Sequence, residues 1–173
     1  MSVNLSAREF QQPTLVADVA KALADAELEP GSLVLEITES ALMQDLDGTI
    51  AKLEELKRQG VRIAIDDFGT GYSSLSYLRQ LPVDILKIDK SFVDGVSGSI
   101  EESALTRAIV KMGEELNLQT VAEGVEEEGQ VLRLRAMKCR YAQGYFFSRP
   151  TDVEGMDVLL QISMEGYPER AAG

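Results

Sequence analysis

Histidine is absent from this chain and cysteine occurs once, at Cys139. Without imidazole there is no Ser-His-Asp triad, no Cys-His dyad and no histidine-ligated metal. A single thiol forms no internal disulfide and no cysteine-rich zinc site. Any metal must therefore be held by oxygen atoms, which favours Mg²⁺, Mn²⁺ or Ca²⁺. No run of about 18 apolar residues is present, so a transmembrane helix is not expected. Met1-Ser2-Val3-Asn4 also lacks the charged and apolar regions of a signal peptide. A cytoplasmic location without membrane contact is the expectation. Positive charge is in short supply: Lys+Arg 17 stand against Asp+Glu 29, a net charge of −12. That balance disfavours broad nucleic-acid binding, and no DNA partner is expected. An anionic substrate would have to be met by local cations or by metal ions.

What the chain does contain is enough apolar material to fold, 45% of 173 residues, in the size range of one domain spanning 1–173. Short apolar runs predict strands near residues 3–5, 33–35, 62–65, 85–88, 119–122 and 140–143. Longer periodic segments predict helices over about 13–26, 45–59, 74–80, 100–116, 127–137 and 152–161, with a frayed tail from 167. Ser99 and Glu102 are spaced as a capping box for the fourth of these, whose expected apolar stripe is Ala104, Leu105, Ala108, Ile109 and Met112. About six strand-then-helix units imply right-handed crossovers and a parallel sheet. With no Gly-rich phosphate loop after the first strand, a doubly wound sheet is the weaker choice and an incomplete (β/α) barrel of TIM type the stronger.

In such a barrel, the chemistry sits where strands end. Asn4, Glu36, the pair Asp66-Asp67, Lys87, Glu123 and Gln143 close successive strands. One carboxylate after a strand is ordinarily a helix cap, but six strands in succession delivering such a side chain to one rim point to a site. Amide and carboxylate oxygens suit hard cations, and two ions about 3.5–4 Å apart can clamp the attacking and leaving oxygens of a phosphoryl displacement. Lys87 would orient the attacking water or steady developing charge, or else pair as a buried cation with a rim carboxylate. Gly69 and Gly71 make the run from Asp66 to Leu75 a shaped loop beside this site. Its Asp-Phe-Gly also occurs in protein kinases, whose catalytic-loop histidine cannot exist here. Glu126-Glu127-Glu128 reads as a solvated helix start with Glu126 near the rim, Phe146-Phe147 as core or barrel-bottom packing, and Cys139 as a small core residue. Tyr72 and Tyr77 are open between packing and function.

Taken together, Asn4-Leu5-Ser6, Glu36-Ile37-Thr38-Glu39, the Asp66–Leu75 loop, Lys87-Ile88-Asp89, Ala122-Glu123-Gly124-Val125-Glu126 and Tyr141-Ala142-Gln143-Gly144-Tyr145 resemble, in order, the EAL domain of bacterial signalling proteins. The resemblance runs from Val3 to about Pro150. It implies a modified TIM barrel that hydrolyses cyclic di-GMP to linear pGpG with two Mg²⁺ or Mn²⁺ ions. It implies metal ligation by Asn4, Glu36, Asp66, Asp67 and Glu123, a hydrolytic water positioned by Lys87, and support of the second ion by Gln143 and Glu126. Glu39 would anchor the glycine loop, which in the family is linked to dimerisation and metal binding. Two departures stand out. The Glu-Ala-Leu motif, with its metal-ligating glutamate, does not occur in the chain, and Lys138 and Arg140 flank Cys139 where the family usually has glycine and an acidic residue. A typical barrel takes about 250 residues, so the first two strands are expected to be missing. The open edges would then require self-association as a homodimer or higher, partner strands, or cover from the termini. A catalytically inactive sensor or scaffold that binds cyclic di-GMP is the alternative function. A third, a barrel enzyme acting on small carboxylates, is weakened by the lack of a second Lys or His base at the rim.

Overall fold

Short β-branched and aliphatic runs become the strands of one sheet in a computed structural model that describes residues 1–43, 46–70 and 75–164. Of residues 46–47, 75, 100–102 and 162–164 it describes the backbone alone. The strands are β1 (Ser2–Leu5), β2 (Val34–Thr38), β3 (Arg62–Phe68), β4 (Ile85–Ile88), β5 (Gln119–Ala122) and β6 (Tyr141–Ala142). All neighbouring pairs are parallel and lie in the order β1-β2-β3-β4-β5-β6, so β1 and β6 are the two ends of the ladder. Parallel neighbours need a crossover between them. The crossovers carry helices α1 (Ala7–Phe10), α2 (Leu15–Asp25), α3 (Glu39–Leu42), α4 (Leu46–Arg58), α5 (Leu75–Leu78), α6 (Lys90–Asp94), α7 (Ile100–Glu115) and α8 (Glu128–Ala136), while α9 (Val153–Met164) follows β6. This is an α/β chain of six strand-then-helix units, an arc of a TIM-type barrel.

Burial follows from that layering. A parallel sheet covered on both sides reads as a continuous apolar run, and all four residues of β4 are buried, as are Ile63, Ala64 and Ile65 in β3. These pack with Ile37, Leu42, Leu53, Leu56, Val93 and Leu134 in one hydrophobic cluster. Helix starts are capped as their sequences dictate. Ser6 and Glu9 form a reciprocal capping box on α1, and the Asp89 carboxylate accepts from the Ser91 amide at 3.0 Å to open α6. The Ser99/Glu102 box expected on α7 falls on a side chain, Glu102, outside those described.

Several expectations are corrected. β3 continues three residues beyond 65, so Asp66 and Asp67 lie inside the strand instead of after it. β6 is shorter than 140–143, and of the stripe expected on α7 only Ile109 and Met112 face the core. Its Ala104, Leu105 and Ala108 are exposed, while Ser103, Thr106, Ile109 and Val110 are buried. The polar Thr106 tolerates full burial because its Oγ1 donates to the Phe92 carbonyl at 2.8 Å. Gly113 lies on the same face against the Thr120 side chain, where a Cβ would collide. Phe146 and Phe147 are neither core nor barrel bottom. They stand edge to face at 5.3 Å after β6, and both remain exposed.

Candidate metal and phosphodiester site

Lys87 is the centre of the rim. Its place in β4, where every side chain is buried, leaves it 4% exposed. A buried ammonium is tolerated only when paired, and three carboxylates surround this one. Nζ lies 2.5 Å from Glu36 Oε2, 2.8 Å from Asp66 Oδ1 and 2.6 Å from Glu123 Oε1. Each comes from a different strand, Glu36 from within β2, Asp66 from within β3 and Glu123 from just past β5, so the pairing depends on how the strands lie beside one another. Burial, the largest influence, pulls the Lys87 pKa down. The hydrogen bonds it donates to Asp66, Glu123 and Glu36 together outweigh this and hold the lysine above its ordinary value. Glu123 is raised in turn, by burial first and then by repulsion from Asp66 and Glu36, with Lys87 opposing. Gln143 Nε2 donates to the same Glu123 Oε1 at 2.5 Å.

Asp66 and Asp67 are adjacent in β3, and a regular strand would send them to opposite faces. Two features bring them together. The β3–β4 pairing shifts register between Ile65 and Phe68, and Asp67 adopts a left-handed φ of 53°. A strand bulge of this kind re-aims a side chain, and one oxygen each from Asp66, Asp67 and Glu123 fall within 4.8 Å of one another. The amide of Asp67 also donates back to Asp66 Oδ1 at 3.1 Å, and the Asp67 carbonyl accepts from Thr70 Oγ1 at 2.9 Å. Burial, followed by repulsion from Asp66 and Asp89, raises the Asp67 pKa despite the opposing pull of Lys87. Three carboxylate oxygens at this spacing form a donor set suited to a hard divalent cation.

Glu39, buried at the start of α3, accepts from the Gly69 amide at 3.0 Å. Gly69 has φ 97°, and a Cβ there would stand 2.7 Å from the Phe92 ring, so only glycine fits. Residues 71–74 of this loop, including Tyr72, lie outside the described residues. Tyr77 is 40% exposed. Asn4 is placed by register directly beside Glu36 on the neighbouring strand and is exposed. Glu126 is set back from the cluster, with its Oε1 3.0 Å from Lys90 Nζ.

Sequence reasoning missed Lys90, which bridges Glu126 and Asp94 at 3.0 and 3.1 Å, and gave no role to Asp89, whose charge reaches Asp67. Their signal was available, since both directly follow Lys87-Ile88. It also passed over Arg149, whose guanidinium carbon lies 4.9 Å from the Tyr145 ring centre. Lys90, Glu123, Glu126, Gln143, Tyr145 and Arg149 all line an open cavity of about 570 Å³ beside the carboxylate cluster. Its size falls within the range of small-molecule sites.

Comparison with known proteins identifies the family and the fold. The family model described as "EAL domain" matches residues 1–150. The bifunctional diguanylate cyclase/cyclic di-GMP phosphodiesterase MucR of Pseudomonas aeruginosa is 47% identical over 154 residues, covering 89% of this chain and 22% of MucR. A solved structure of the MucR phosphodiesterase in complex with c-di-GMP superposes with a TM-score of 0.86 at 46% identity, covering 90% of this chain and 63% of that one. A manganese/cy-diGMP complex of Klebsiella pneumoniae BlrP1 gives a TM-score of 0.80 at 33% identity over 86% of this chain and 38% of its own. The chain thus spans about a fifth of the curated relative's length. With a family model over most of its length and the same fold at substantial identity, this chain belongs to the EAL domain family.

Proposed function

We propose that this chain carries the hydrolytic rim of a phosphodiesterase that opens cyclic di-GMP to linear pGpG with the aid of two divalent cations, Mg²⁺ or Mn²⁺. The observation that carries the reading is Lys87, held as a buried cation by Glu36, Asp66 and Glu123 from three different strands. A structural lysine needs only one partner. One that gathers three carboxylates beside an open cavity sits where charge is concentrated for chemistry.

Asn4, Glu36, Asp66, Asp67 and Glu123 are the residues that would hold the cations. When bound, these supply positive charge to the phosphoryl oxygens and increase the acidity of nearby water. The chain's own contribution is orientation and charge. Lys87 Nζ remains protonated and serves as a fixed donor toward the attacking water or a phosphoryl oxygen. Gln143 holds Glu123 by its Oε1, and Glu39 holds the loop after β3 through the Gly69 amide. Glu126, tied to Lys90, faces the same cavity and would order water at its edge. The same reading includes self-association, because β1 and β6 each end the ladder with one unpaired edge.

The test is incubation with cyclic di-GMP and Mn²⁺, following pGpG by chromatography with calorimetric binding in parallel. Product that is lost in Glu36→Ala and Lys87→Ala supports hydrolysis. Saturable binding without product would replace it with the sensor or scaffold reading, and neither would overturn both. Light scattering checks the association, which a monodisperse monomer would contradict.

A further inference from the structure

A chain of net charge −12 gathers cations at one place on its outer surface. Arg107 and Lys111 on α7 face Arg133 on α8 and Lys138 just beyond it, around a groove of about 350 Å³ in which Glu114 is the one acidic wall among the described residues. A second cavity of about 350 Å³ adjoins it through the shared residues Glu114 and Lys138 and adds Arg140. None of these residues lines the cavity beside Lys87 and Glu123.

We propose that the groove between α7 and α8 is a binding site for a small polyphosphate anion, one carrying two or more linked phosphates. This inference is independent of the proposed hydrolysis. Arg107 and Lys111 are separated by four residues, about 6 Å of helix rise, a spacing that addresses two charges in a row and not one. Arg133 is oriented before any ligand arrives, because its Nη1 donates to the Val96 carbonyl at 3.2 Å. A guanidinium has five donors, so this anchor leaves a fork to engage a phosphate in two-point fashion. Lys111 has Glu115 at 3.1 Å and Glu114 at 3.6 Å on its own helix, contacts that are exposed and readily exchanged for a more highly charged partner.

Lys138 supplies a second line of argument. It follows the C-cap of α8 with φ 66°, its amide donating to the Arg135 carbonyl at 2.9 Å while that of Cys139 donates to the Leu134 carbonyl at 3.0 Å. This is the left-handed position after a helix that glycine fills without strain. A long cation kept at a strained position, at the junction of both cavities, is accounted for if its charge is used. The concave shape and volume, at the lower end of small-ligand sites, favour a compact anion over an extended acidic chain.

The experiment is calorimetric titration of the chain with inorganic tripolyphosphate, in EDTA to silence divalent cations, at low salt. Saturable one-to-one binding is expected, weakening about tenfold on raising salt to roughly 0.3 M. Lys138→Gly relieves the backbone strain, so it should melt no lower than the parent yet bind about fivefold more weakly. Adding Arg107→Gln should bring the loss to about twentyfold or more. ATP run in parallel separates the sources: equal affinity assigns recognition to the phosphates alone, and tighter ATP binding to a nucleotide. Absence of saturable binding, unchanged affinity in the double variant, or equal binding of a short oligoglutamate would overturn the proposal.

Discussion

Oε1 of Glu123 lies 2.6 Å from Lys87 Nζ and simultaneously accepts from Gln143 Nε2 at 2.5 Å. One oxygen therefore ties β4 to the residue that follows β6, across β5. The same ammonium reaches Glu36 and Asp66, so the rim is held by a single cation in place of sequential pairs. Removing it leaves three acids facing one another.

Replacement of Lys87 by Met is thus expected to abolish turnover and lower stability by about 3–5 kcal/mol, the usual cost of leaving a buried charge without its partner. Divalent cations should reverse much of that loss. Melting curves with and without Mn²⁺ check it: the metal-induced rise should be larger in Lys87→Met than in the parent. Equal rises would show that the carboxylates do not depend on the lysine.

Asp67 combines charge with an uncommon backbone geometry, and two variants separate these. Asparagine tolerates left-handed φ, so Asp67→Asn should change stability by less than about 1 kcal/mol while weakening Mn²⁺ binding. Valine does not, and Asp67→Val should cost about 1–3 kcal/mol in addition. Denaturant melts and metal titrations on both proteins decide the matter. An Asp67→Val protein as stable as the parent would show that the turn is not constrained.

Glu39 is expected to act through the loop and not through contact with substrate. Glu39→Ala deprives the Gly69 amide of its acceptor and should cost about 1–3 kcal/mol. Glu39→Gln keeps a carbonyl acceptor and should recover most of it. Hydrogen exchange at Gly69 provides the readout, accelerated in the alanine protein and near normal in the glutamine one.

Acidity should act oppositely on metal binding and on the metal-free fold. Asp67 and Glu123 are both raised from their ordinary values, in each case by burial first. Cations bind the deprotonated forms, so Mn²⁺ affinity should fall as pH drops, and the fall should begin at a higher pH than for exposed acids. Without metal the sign reverses. A carboxyl whose pKa is higher folded than unfolded takes up protons on folding, so its contribution to stability grows as pH falls through the folded value. Calorimetry at stepped pH measures the first and metal-free melts of the parent against Asp67→Asn the second. Parallel trends in both would contradict the assignment.

Much of the framework could be read from the residues alone. The runs that became β4 and the middle of β3 stand out because strands buried on both faces need uninterrupted apolar side chains, and the helices between strands force parallel order. Glu36, Lys87 and Glu123 were legible because each sits at or just past such a run. The inward face of α7 was legible only at Ile109 and Met112. Ala104, Leu105 and Ala108 look like a stripe, but Thr106 is buried instead through its bond to the Phe92 carbonyl, a partner 14 residues away. Phe146-Phe147 misled for a related reason: apolar identity says nothing about whether a neighbour covers it.

Composition and order thus determined which kinds of metal ligand the chain can offer and which residues are candidates for it. With no histidine and one cysteine, oxygen ligands remain, and the acids at or near strand ends are the candidates. Tertiary structure decided how those acids meet. The shift in β3 pairing turned two successive aspartates to one side, and the curve of the sheet brought Glu36, Asp66 and Glu123 onto a single ammonium. Both are matters of register and curvature, which arise between strands and are written in no one strand's sequence.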